Sequence, residues 1–324
     1  MELKNIAILG PRGSVGSGLI AELIKEPTQF TAISRHTSTY VSITPAHSNI
    51  TNKRADFTSL ESLSEAFAGQ DAIVNCVSGS ATQYDPSKLI IDAAVAAGVR
   101  FYFANEFVGN IKSEQFIRMP ESNVGAKPRI REYLEELGRQ ETIQWTALNG
   151  GPFFDMWLMK GPAGFDIPNR HARIYGTGNN PLYWTPLPTI VRTVAKMLMD
   201  PTPFVNHPVY ICPFIGLTQN KLLAALESVL DTKFSTTAVD VAKINKNARI
   251  ALERGEFMKA MRGLSISYQF YERDSGNDLS GLLENEKVGV ELVGIEEAVR
   301  EAIERWGEDT PIVQGMYMVE PCEV

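Results

Sequence analysis

Residues 4–25, KNIAILGPRGSVGSGLIAELIK, leave this chain few ways to fold. An apolar run from Ile6 to Leu9 meets glycines at positions 10, 13 and 16, and an amphipathic helical pattern follows at once. That order predicts a strand, a tight turn and a helix. The spacing G-x-x-G-x-x-G is one residue wider at the front than the usual dinucleotide fingerprint. Gly10 permits the turn, Gly13 lets the backbone approach a pyrophosphate, and Gly16 lets helix pack closely on strand. The helix entry at Ser14 and Val15 then offers free N–H groups and a partial positive charge to an anion.

The pattern continues as alternating units. Strand-like runs occur at NIAIL, FTAIS, DAIVNCVS, RFYFA and QWTAL, with helical patterns at 17–25, 60–68, 87–97 and 129–138. The Thr58–Glu61 stretch predicts a capping box for the second helix, with Glu61 answering the cap residue. Continuous apolar strands between helices imply an α/β fold: a Rossmann-type, doubly wound parallel sheet covered on both faces. After about residue 152 the rhythm gives way to a Gly-, Pro- and aromatic-rich stretch that reads as irregular structure with a hairpin. A helix over 189–199 and the strand PVYIC follow. A Thr218-capped helix, further helices to about residue 262 and a last helix near 295–306 complete the chain. The expected division is a dinucleotide-binding domain over 1–152, rejoined by a helix and strand around 186–214. A smaller, mostly helical substrate domain covers 153–324.

Composition narrows the function classes. A net charge of −7 argues against a nucleic-acid partner. Apolar stretches such as KLIIDAAVAAGV are too short and interrupted to span a bilayer, and no secretory leader is expected where the first residues form a strand. Three dispersed cysteines and four scattered histidines lack metal-ligand spacing, so no metal site is expected. The expected location is the cytoplasm, and a homodimer is compatible with this reading.

The cofactor is read at the end of the second strand. An NAD-binding chain places Asp or Glu there for the ribose 2′-OH. Here the stretch is ISRHTS, with Arg35 and no acid. A guanidinium can fork onto a 2′-phosphate, and Arg12 within the loop can reach the same group, so NADP(H) is expected. A second pattern competes for attention: Tyr84 and Lys88, in YDPSK, match a Tyr-x-x-x-Lys pair that can protonate a carbonyl. Asp85 and Pro86 lie between them, which places Tyr84 in the loop before a helix and makes the match fortuitous.

Three further stretches, RFYFANEFVGN, VGAKPRIREYLEELG and QWTALNGGPFF, occur in that order after the glycine loop. Together they resemble the NmrA-like and isoflavone-reductase-like proteins, an atypical branch of the short-chain dehydrogenases, and the style is similar to fungal members. The resemblance covers most of the chain. Plant members reduce phenylpropanoids such as isoflavones, pinoresinol and phenylcoumaran benzylic ethers. The resemblance implies cofactor contacts at Gly10, Gly13, Gly16, Arg35, Ser78, Gly79, Asn105 and Lys127, with Phe153 near the nicotinamide and Asp56 near the adenine. It implies an active lysine at Lys127, four residues before Arg131. The aromatic stretch Phe153, Phe154, Met156, Trp157 and Met159 suits a flat apolar ligand, so Phe154 and Trp157, with Phe107, are expected substrate contacts. The chain departs from the family at Ala104–Val108, where P-S-E-F-G reads A-N-E-F-V, and at Pro128 directly after the lysine.

Pro128 is tolerated only in a first helical turn, so Lys127 belongs at a helix start. There the helix dipole and partial burial both lower a lysine's proton affinity, unlike a solvated lysine paired with Glu121 or Glu132. Such a lysine can donate a proton to an oxygen or hold an oxyanion. The leading expectation is an NADPH-dependent reductase of an apolar, oxygenated, aromatic or polycyclic small molecule, in secondary metabolism. The alternatives are an NADP(H)-binding redox sensor without turnover, or an isomerase or cyclase on the same fold. No G-x-S-x-G elbow points to hydrolysis.

Overall fold

The apolar run before the glycine loop forms the centre of a parallel sheet. Ten strands occur among the described residues, which are 1–40 and 49–324 of the computed structural model. They are β1 (Asn5–Leu9), β2 (Gln29–Arg35), β3 (Ile50–Ala55), β4 (Ala72–Asn75), β5 (Phe101–Phe103), β6 (Gln144–Asn149), β7 (Phe165–Asp166), β8 (His171–Tyr175), β9 (His207–Tyr210) and β10 (Ser235–Val239). The contacts divide the chain into two units. The first comprises Met1–Phe107, Glu121–Asn149 and Leu187–Tyr210; the second comprises Val108–Pro120, Gly150–Pro186 and Ile211–Val324. Residues 108–120, read from sequence as part of the first domain, cluster with the second.

In the first unit seven strands run in the order β3-β2-β1-β4-β5-β6-β9, all parallel. Residues Ile6–Leu9 and all of β4 and β5 are buried, as expected of strands covered on both faces. β3, of sequence ITNKRA, is an edge strand with three exposed residues. Its polar composition kept it out of the strand-like runs in the sequence. The helices run Ser14–Leu23, Leu60–Phe67, Tyr84–Ala96, Lys127–Arg139 and Leu187–Met199. The strand order reverses between β1 and β4, which is where a ligand is expected beyond the strand ends.

Two local expectations are corrected. The cap of Leu60–Phe67 is Ser59, which accepts from the Ser62 N–H at 3.2 Å, in place of the Thr58–Glu61 box. Thr58 is drawn away because both its N–H and its hydroxyl donate to the Asp56 carboxylate. Tyr84 is the first residue of its helix and not part of the preceding loop, with Gln83 as the cap.

The second unit holds a three-stranded sheet in the order β10-β8-β7, with β7 antiparallel and β10 parallel to β8. β10 lies where the sequence suggested only helices; four of its five residues are exposed, so no buried alternation marks it. Helices at Gln219–Val229, Val241–Glu253, Phe257–Phe270 and Ile295–Trp306 accompany this sheet. The first is capped by Thr218, whose hydroxyl accepts from the Lys221 N–H. The core contains Phe154, Phe165, Tyr175, Trp184 and Phe270, with Tyr175 stacked on Phe270. Among the described residues no helix is long and apolar enough to cross a membrane.

Candidate active site

The three loop glycines meet different demands. Gly10 has φ +76°, and a Cβ there would lie 2.6 Å from the Cys76 carbonyl oxygen. At Gly16 a Cβ would lie 2.3 Å from the Gly10 oxygen, so the helix could not sit against the turn. Gly13 is different: its Cβ would meet only ordinary contacts, at 3.5 and 3.6 Å. The fold tolerates a side chain at position 13, so internal packing does not require a glycine there. Gly13 is also the cap residue of Ser14–Leu23, and no side chain caps that helix. Its first N–H groups, including those of Ser14 and Val15, have no partner within the helix, an arrangement suited to a phosphate.

These features open onto a cleft of about 420 Å³ beyond the ends of β1, β2 and β4. Gly10, Pro11, Arg12 and Gly13 form one wall, Ser34, Arg35 and Thr37–Thr39 another, and Cys76–Ser78 with Phe57 and Ala81 the rest. None of these residues is acidic. Arg12 and Arg35 are exposed and share the cleft, and Arg12 Nη1 donates to Thr39 Oγ1 at 2.9 Å. The cleft residues thus fit a dinucleotide, and the two guanidiniums fit a 2′-phosphate better than a free 2′-hydroxyl.

The remaining cofactor candidates lie nearby or elsewhere. Ser78 lines the cleft, while Gly79 starts the adjoining short turn (Gly79–Thr82) at φ +67°. Asp56 is exposed beyond β3, and its hydrogen bonds from Thr58 hold its carboxyl below the usual range. Its neighbour Phe57, and not Asp56 itself, lines the cleft. Phe57 was not singled out in the sequence; an aromatic directly after a strand was its only signal. Cys76, one residue past β4, is buried, and burial pushes its thiol up to about 12. That places it with inert structural cysteines.

Lys127 stands at the first position of its helix, with Pro128 in the first turn and Ala126 as the cap. Its Nζ donates to the Asn105 main-chain oxygen at 2.8 Å and lies 3.3 Å from Asn105 Oδ1. Neither Glu121 nor Glu132 claims it; Arg129 takes Glu121 instead. Burial pushes the Lys127 ammonium down to about 8, with the Glu106 carboxylate opposing the shift. Asn105 and Lys127 line a small cavity apart from the cofactor cleft, and Asn105 Nδ2 donates to the oxygen of the cleft-lining Val77 at 2.5 Å. One side chain therefore connects the lysine to the cleft wall.

Behind Lys127 lies a buried charge pair that the sequence did not reveal as a pair. Arg131 is 1% exposed and Glu106 3%. Arg131 Nε donates to Glu106 Oε1 at 2.6 Å, its Nη2 bonds Oε2, and Asn149 Nδ2 donates to Oε2 at 2.8 Å. Removing one partner of such a pair costs about 3–5 kcal/mol, because an unpaired charge stays buried. Phe107 follows at φ +42°, with its ring stacked on Phe103 at 6.0 Å. A non-glycine residue in the left-handed region persists only where its surroundings fix it.

The pair Tyr84 and Lys88 is otherwise engaged. Lys88 bonds Asp92 at 2.6 Å and lies over the Tyr133 ring, while the Arg129 guanidinium covers Tyr84. The aromatic residues of the second unit divide by burial. Phe154 is fully buried against Phe214, as core packing requires, and leaves no accessible face for a ligand. Trp157 is half-buried against Trp184, and Phe153 is half-buried at the start of Phe154–Lys160.

Comparison with known proteins agrees with this geometry. A family model described as NAD(P)H-binding matches residues 10–157. The oxidoreductase aprR of Aspergillus flavus is 27% identical over 286 residues, 85% of this chain and 93% of that protein. The oxidoreductase poxI of Penicillium oxalicum is 31% identical over 221 residues, 67% of each chain. AtPrR2, solved with NADP+ and (+)-pinoresinol, superposes with a TM-score of 0.71 at 19% identity, over 93% of this chain and 99% of that one. An isoflavone reductase crystal structure gives 0.69 at 19% identity, with the same coverage. The chain therefore belongs to the NAD(P)H-binding oxidoreductase family of these fungal relatives, built on the isoflavone-reductase-like fold.

Proposed function

We propose that the protein is an NADPH-dependent reductase of an apolar, oxygenated, aromatic or polycyclic small molecule in secondary metabolism. The observation that carries this reading is Lys127, half-buried at a helix start and hydrogen-bonded to Asn105, whose amide nitrogen bonds the Val77 oxygen of the cleft wall; burial lowers the ammonium to about 8. A lysine of this kind exchanges a proton near neutral pH, which a solvated lysine does poorly. When bound, NADPH supplies a hydride from C4 of its nicotinamide. The glycine loop and the first N–H groups of Ser14–Leu23 would hold the pyrophosphate, and Arg12 with Arg35 would hold the 2′-phosphate. Lys127 gives its proton to the substrate oxygen as negative charge develops there, and the two oxygens of Asn105 hold the ammonium in place. Pinoresinol bound to the related AtPrR2 favours an aromatic, oxygenated substrate.

The test is stoichiometric. Purified protein is screened against aromatic and polycyclic ketones, quinones and benzylic ethers, with NADPH loss and product formation measured together. One NADPH consumed per product, with Lys127→Ala inactive but still binding NADPH, is the expected result. Product formed without NADPH loss would favour an isomerase or cyclase. Tight cofactor binding with no turnover across the panel would favour a redox sensor.

A further inference from the structure

We propose that Glu106 is the positioning residue for Lys127: pinned by Arg131 and Asn149, it fixes the turn that presents the Asn105 carbonyl to the lysine Nζ. The inference rests on the reading of Lys127 as the group that acts at the substrate oxygen. Three bonds converge on the Glu106 carboxylate, two from Arg131 and one from Asn149. They join the end of β5, the end of β6 and the Lys127 helix through one side chain. Asn105, directly before Glu106, supplies both atoms that face Lys127. The next residue, Phe107, is held at φ +42° by its stack on Phe103 and by its N–H bond to the Leu148 oxygen. The turn is thus fixed on both sides of Asn105, and a carboxylate buried this deeply also attracts the neighbouring ammonium.

Two nearby pairs, one involving the Lys127 helix and one on Tyr84–Ala96, are engaged away from Lys127. Arg129 pairs with Glu121, and Lys88 pairs with Asp92, which also accepts from Tyr133. Tyr102 of β5 shares the small cavity beside Lys127, and burial pushes its phenol up, which keeps it neutral there.

The test needs no substrate. Protein labelled with 13C at lysine Cε is titrated by NMR, and the Lys127 signal is assigned by its loss in Lys127→Met. In Glu106→Gln the Lys127 midpoint should fall by about one unit, because the favourable carboxylate is gone. NADPH affinity should stay within about threefold. Glu106→Gln leaves the buried Arg131 charge without its carboxylate and can fail to fold. The double variant Glu106→Gln/Arg131→Met removes both charges; it should fold and still lower the midpoint, though by less. A midpoint unchanged from wild type in whichever of these variants folds would overturn the proposal while leaving the reductase reading intact. Full turnover by Lys127→Ala would instead overturn the assignment of the proton to Lys127, on which this inference rests.

Discussion

Lys88 and Lys127 lie in the same unit, one in a motif-like setting and the other beside an unremarkable proline. Lys88 answers to Tyr-x-x-x-Lys, yet it is salt-bridged to Asp92 and covers the Tyr133 ring. The Asp92 hydrogen bond raises its proton affinity above the ordinary lysine value, with burial opposing. Lys127 has no carboxylate bonded to it, only the oxygens of Asn105, and burial lowers it to about 8. The same side chain is locked as a cation in one place and readied to release a proton in the other. A lysine's partners decide its chemistry, and a four-residue spacing does not.

The largest expected effect separates these two residues. Lys127→Ala should reduce turnover about a thousandfold, within the usual range for loss of a general acid, while Lys88→Met should change it less than about threefold. Lys127→Arg keeps the charge but holds its proton throughout the working range, so turnover should fall by about a hundredfold. Wild-type turnover should also fall as pH rises through about 8, because the protonated lysine is the donor and a lowered value brings its loss into range. That limb should vanish in Lys127→Arg and persist in Lys88→Met, whose lysine is shifted the other way. A pH–rate series on the three proteins checks this directly.

Smaller effects concern the cofactor. Arg12→Ala with Arg35→Ala should weaken NADPH binding by about 10- to 100-fold and leave NADH binding nearly unchanged, as fluorescence titration would show. Neither lysine variant should reproduce that selectivity. Gly13→Ala should bind NADPH about tenfold more weakly at an unchanged melting temperature, since the added Cβ meets only ordinary protein contacts. Gly16→Ala should instead destabilise the fold by about 1–3 kcal/mol, measured by denaturant titration. The smallest effect is on stability in Lys88→Met, about 0.2–1 kcal/mol for a half-exposed ion pair.

What could be read from the sequence follows the range of the interactions. The glycine loop with Arg12 inside it, Arg35 after the second strand and the lysine before Pro128 are local features, so they can be singled out in the sequence. Glu106 and Arg131 are 25 residues apart, and nothing local marks a charge in a strand-end turn as the partner of one on a later helix. β3 is polar because it is an edge, and β10 is exposed, so burial periodicity marks neither. Phe154 illustrates the converse: its aromatic setting suggested a ligand contact, but the same apolar surface packs into the core. Residue type alone does not separate these two uses of a phenylalanine.

The most direct test of the role given to Lys127 is single-turnover NADPH oxidation in wild type and Lys127→Ala, each saturated with cofactor and given a substrate found by the screen. Wild type should oxidise one NADPH per product. Lys127→Ala should bind NADPH with the same affinity and oxidise it about a thousandfold more slowly. A rate for Lys127→Ala within about threefold of wild type would contradict the assignment of the proton to Lys127.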